Sequence, residues 1–62
     1  MSKQVIIKVE TVGQAFGCQG VIYTPRGKRP LATTDVVPYG MRAVAYERAE
    51  SIADARGWTV AP

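Results

Sequence analysis

Along residues 4–12, QVIIKVETV, the side chains alternate: Val5, Ile7 and Val9 fall on one side of an extended chain, and Ile6, Lys8 and Glu10 on the other. A period of two carried by β-branched residues predicts a strand with one buried face. The next eight residues, GQAFGCQG (13–20), hold three glycines and predict a turn or an irregular, bulged strand entry. VIYT (21–24) predicts a second strand, with Val21 and Tyr23 on one side and Ile22 on the other. In TPRGK (24–28), Pro25 presets φ and Gly27 can take a positive φ, which is the chemistry of a tight turn. PLATT then returns as a third strand or an extended segment. Pro30 offers no backbone donor, which places that strand at a sheet edge.

The period changes in MRAVAYERAESIADAR (41–56), an alanine-rich run without internal glycine or proline that predicts the one helix. Stepping at about 100° per residue lines up Met41, Val44, Ala45, Ala49, Ile52 and Ala55 on one face, with Glu47, Glu50 and Asp54 opposite. Gly57 is placed to cap the helix and Trp58 to pack back on it, as in a Schellman motif, and WTV has room for a short last strand. The small alanines let the helix lie close to a sheet, so Tyr46, Trp58, Phe16 and the valines are left to fill the core. The expected fold is α+β: a small antiparallel sheet of two to three strands packed against one C-terminal α-helix, with a short final strand as an addition.

Sixty-two residues allow a single small domain, 1–62, and a domain of this size buries only about 60% of its unfolded surface. Its stability should be marginal, which favours a partner or a homodimer. Cys18 is the sole cysteine and there is no histidine, so the chain can form neither an internal disulfide nor a zinc site of the usual kind. A lone thiol and the absence of any apolar run near the roughly 20 residues that span a bilayer point to a cytoplasmic protein without a membrane partner. The N-terminus alternates with charge, unlike a signal peptide.

The same inventory argues against catalysis. The commonest general base and metal ligand is missing, and Cys18, with no histidine to activate it, reads as a small buried hydrophobe. Neither GQAFGCQG nor PRGKRP matches a phosphate-binding loop or a dinucleotide fingerprint. No enzyme activity, cofactor or metal is expected.

The net charge is +3, but its distribution says more than its size. Residues 1–31 carry Lys3, Lys8, Arg26, Lys28 and Arg29 against Glu10 alone, whereas residues 32–62 carry three arginines against four acids. Attraction to a polyanion would come from the first half. The expectation is a non-enzymatic binding protein that meets nucleic acid, or a nucleoprotein complex, through a basic hairpin tip. Arg26, Lys28 and Arg29 would sit on phosphates, with Lys8 and Tyr23 on neighbouring strands, and Tyr23 would stack on a base if the partner is single-stranded. The alternative is an accessory or inhibitor protein of the kind phages and mobile elements encode, bound to a protein target. Glu47, Glu50 and Asp54 would then form a second, protein-binding surface.

The segment AYERAESIADARG is similar to the helix of the plant ethylene-response type DNA-binding domain, in which such a helix backs a three-stranded sheet that reads DNA. The motifs that carry the arginines and tryptophans by which that family's sheet touches DNA are missing from residues 4–33. The resemblance therefore implies helix-on-sheet packing and carries over no binding residue.

Overall fold

In the computed structural model, which describes residues 3–13, 16–27 and 29–61, the alternating segment is strand β1 (Gln4–Val12). It pairs antiparallel with β2 (Gly17–Tyr23), Lys8 opposite Val21 and Val9 opposite Gly20. The glycine-rich stretch is thus mostly strand: β2 starts at Gly17, four residues before the expected VIYT. β3 (Pro30–Thr33) pairs antiparallel with the far end of β2 and lies at an edge, as Pro30 required. β4 (Val37–Pro38) pairs with the start of β2 on the same side. A 3-10 turn (Tyr39–Met41) leads into helix α1 (Arg42–Ala55), and β5 (Thr59–Val60) closes the order.

The sheet therefore corrects the expected two or three antiparallel strands: it has five, and it is mixed, because β5 runs parallel to β1 on the edge away from β2. A parallel neighbour needs a long crossover, and α1 supplies it, carrying the chain from β4 over β2 and β1 to β5. The α+β class and the single C-terminal helix stand. No described helix is long and apolar enough to cross a membrane.

β3 and β4 behave as one strand broken at residues 34–36. Thr34 spans the break: its N–H donates to the Gly20 carbonyl at 2.9 Å, and its hydroxyl oxygen accepts the Gly20 N–H at 2.9 Å. The hydroxyl in turn donates to the Asp35 carbonyl at 2.9 Å. A side chain takes over part of the ladder, which is how a buried threonine is satisfied here.

The helix lies on the face carrying Val5, Ile7, Val9, Cys18, Gly20 and Ile22. One cluster joins Val5 and Ile22 to Ala49 and Ala53, with Ile7, Leu31, Ala32, Ile52, Trp58 and Val60 around it. A second joins Cys18, Val37 and Ala45, flanked by Val9 and Val44. The buried helix line is Ala45, Ala49 and Ala53, whereas the expected face members Met41 and Ala55 are exposed. Alanine at i, i+4 and i+8 lets the backbone come closest along that line, so the buried stripe centres on Ala45, Ala49 and Ala53, with Val44 and Ile52 of the expected face still packed beside it. Gly20 is where it touches: a Cβ there would stand 2.5 Å from the Ala45 carbonyl oxygen and 2.8 Å from the Ala49 Cβ.

Phe16, expected in the core, is 85% exposed, and Tyr46 is exposed as well. Phe16 sits in the left-handed region at φ 49°, at the end of the β1–β2 connection, so its side chain leaves the strand pattern. The helix terminus follows expectation. Gly57 takes φ 73°, its N–H reaches the Asp54 carbonyl at 3.0 Å, and the Trp58 N–H reaches that of Ala53 at 2.8 Å, which is a Schellman motif.

Candidate nucleic-acid interface

The face of the sheet that α1 leaves open carries the even-numbered side chains of β1 and the odd-numbered ones of β2. Tyr23 stands opposite Ile6, Lys8 opposite Val21, and Glu10 opposite Gln19. The Tyr23 hydroxyl nevertheless donates to the Glu10 carboxylate, so its ring must lie lengthwise along the sheet, across the Lys8–Val21 row. Two observations agree with that pose. The Lys8 ammonium is 5.5 Å from the ring centroid, a cation–π distance, and Val21 is only 2% exposed although no helix covers it. The hydrogen bond to Glu10 raises the Tyr23 pKa above the ordinary phenol value, with burial and the carboxylate's charge acting in the same direction.

Lys8 and Tyr23 are thus brought together, as the alternation implied. Tyr23 is less available for base stacking than the sequence suggested, since Glu10 tethers its hydroxyl and Lys8 covers its ring.

The basic segment is a turn. The Gly27 N–H donates to the Thr24 carbonyl at 3.2 Å, with Pro25 and Arg26 between them. Arg26 and Arg29 are exposed, and Lys28, the third cation assigned to the tip, lies outside the described residues. Because β2 runs antiparallel to β1, the turn projects from the end of the sheet where β1 begins.

That end receives two further cations. Lys3 precedes β1, and its carbonyl accepts the Thr59 N–H at 2.8 Å. Arg56 ends the helix just before β5, with its guanidinium carbon 5.2 Å from the Trp58 ring centroid. Lys3, Arg26, Arg29 and Arg56, all exposed, come from three separate segments to one end of the molecule. The sequence alone shows Lys3 and Arg56 as charges and does not place them at a site. Lys3 comes to this end through the antiparallel pairing of β1 with β2, whereas the place of Arg56 depends on β5 lying beside β1, and a two-residue strand leaves no periodic signal to reveal it.

Glu47, Glu50 and Asp54 form a second surface, which adjoins the basic end at Trp58. With Ser51, Trp58 and Val60 they line a shallow, open depression of about 530 Å³ on the flank of α1 beside β5. Cys18 is fully buried, its thiol directed at the Pro38 carbonyl 3.7 Å away, and it packs as a small apolar residue. Comparison of the chain with protein-family models, with curated proteins and with solved structures finds no match.

Proposed function

We propose that this protein is a small, non-enzymatic binding protein that contacts nucleic acid, or the nucleic acid of a nucleoprotein complex, through the basic end of its sheet. The observation that carries the reading is the convergence of Lys3, Arg26, Arg29 and Arg56 from three segments at that end. Exposed cations gathered at one end suit the phosphate backbone, where charge rather than base identity supplies the attraction. The tethered ring of Tyr23 favours phosphate contact over base stacking as the main mode, and Lys8 extends the positive surface onto the open face.

Fluorescence anisotropy of labelled duplex and single-stranded oligonucleotides, titrated across a range of salt, tests it. Binding should weaken linearly on a log–log salt plot. Arg26→Ala combined with Arg29→Ala should lower the slope by about one per lost phosphate contact, and Arg56→Ala should lower it further. Absence of binding at low salt, or a slope that the variants leave unchanged, overturns the reading.

A second reading rests on the acidic depression beside Trp58, a surface of opposite sign to the basic end and poorly suited to lie near phosphate. On this reading the protein is an accessory or inhibitor protein, and a basic segment of a protein target occupies the depression. Charge reversal at Glu47, Glu50 and Asp54 should then weaken capture of that target, and unchanged capture removes the helix from the interface.

A further inference from the structure

One edge of β1 is paired with β2 through residues 6–12. Among the described residues, the opposite edge is covered only at Gln4 and Val5, by β5. Residues of a strand turn their N–H and C=O alternately to its two edges. The Thr59 and Ala61 N–H groups reach the carbonyls of Lys3 and Val5, each at 2.8 Å, so the odd-numbered residues of β1 face outward. Ile7, Val9 and Thr11 therefore direct their backbone donors and acceptors at an edge with no described strand against it.

A long free edge is a template for pairing, and proteins usually blunt it with proline, a bulge or repelling charge. Residues 6–12 contain no proline, and their pairing with β2 is regular. Their two charges, Lys8 and Glu10, are of opposite sign and lie two positions apart on the open face. We propose that this edge pairs antiparallel with the same edge of a second copy of the chain, Val9 facing Val9 across a twofold axis.

The register follows from charge. Outward groups meet only when odd-numbered residues face odd-numbered ones. An axis through Lys8 would set lysine against lysine, and one through Glu10 would set glutamate against glutamate, both destabilising. The axis through Val9 sets each Lys8 opposite the Glu10 of the other copy. Val9 then exchanges both backbone hydrogen bonds with its mate, and Ile7 does so with Thr11 on either side. The overlap stops at Ile7, because Ala61 already lies beside the start of the strand. One continuous sheet results, with both helices on the same face. Such a contact is smaller than the roughly 800 Å² per partner of a standard interface, so the pair should form in the micromolar range and dissociate on dilution.

The test is sedimentation of the full chain from about one to several hundred micromolar, with two charge variants. Lys8→Glu opposes glutamate to glutamate at both ends of the pairing, and Glu10→Lys opposes lysine to lysine. Each alone should dimerise at least about tenfold more weakly than the native chain. Mixed in equal amounts, they should form a heterodimer of near-native strength, because every facing pair is then opposite in sign. Circular dichroism of each variant confirms that the monomers are folded. Hydrogen exchange of the native chain should show the Ile7, Val9 and Thr11 amides gaining protection with concentration. A native chain that stays monomeric throughout, a mixture no tighter than its components, or a dimer in which those three amides exchange as in the monomer overturns the proposal.

Discussion

β2 runs through the middle of the sheet with two unlike surroundings. On one side Cys18, Gly20 and Ile22 meet a helix so close that no side chain fits at Gly20. On the other, Gln19, Val21 and Tyr23 meet the side chains of β1 and solvent. Val21 is buried there between Lys8 of β1 and Thr33 of β3, on the face along which Glu10 holds the ring of Tyr23. The covered face is fixed by backbone contact and tolerates little change in volume. The open face is fixed by polar tethers, with Glu10 and Lys8 both engaged by Tyr23.

The largest effect should come from the centre of the covered face. Ile22→Ala removes a fully buried side chain and is expected to cost about 4 kcal/mol, enough to unfold much of a marginal domain in a thermal or urea melt. A loss below about 1 kcal/mol would mean that the two faces are less different than the packing implies.

Gly20→Ala should follow, at about 3 kcal/mol, because the obstruction includes backbone and α1 must lift to admit a methyl group. If the variant melts with the native protein, the helix does not lie as close to β2 as described.

Tyr23→Phe should be the smallest change and the most informative about the open face. A phenol whose pKa is raised in the folded state stabilises the fold below its ordinary pKa, and the stabilisation fades as pH rises through the folded value. The native protein should therefore exceed Tyr23→Phe in stability near neutral pH, and the gap should close in melts above about pH 10. A gap that stays constant across that window would release Tyr23 from Glu10.

Those elements were legible whose signal is local. β1 is found at the expected residues because alternation over nine positions is hard to mistake. The helix stop at Gly57 follows from a residue that alone takes φ 73° without strain. The strands β4 and β5 have two residues each and no period, and the parallel place of β5 is decided by where α1 sets the chain down. Gly17 and Gly20 signalled a turn by composition, yet they lie within β2 because the helix and β4 need room there. The site divides in the same way. Lys8 and Tyr23 could each be assigned to a face from parity, and Arg26 and Arg29 to a turn from Pro25 and Gly27. The convergence of Lys3 and Arg56 on that turn, and the capture of Tyr23 by Glu10, required the register between strands.

The chain has a single tryptophan, and Trp58 sits half-buried against the core at the basic end, with Arg56 resting on its ring. Indole emission responds to both of those neighbours. One unlabelled chromophore therefore reports two events with different signatures: a cooperative spectral shift when the core opens, and a saturable change in intensity when an anion draws the guanidinium off the ring.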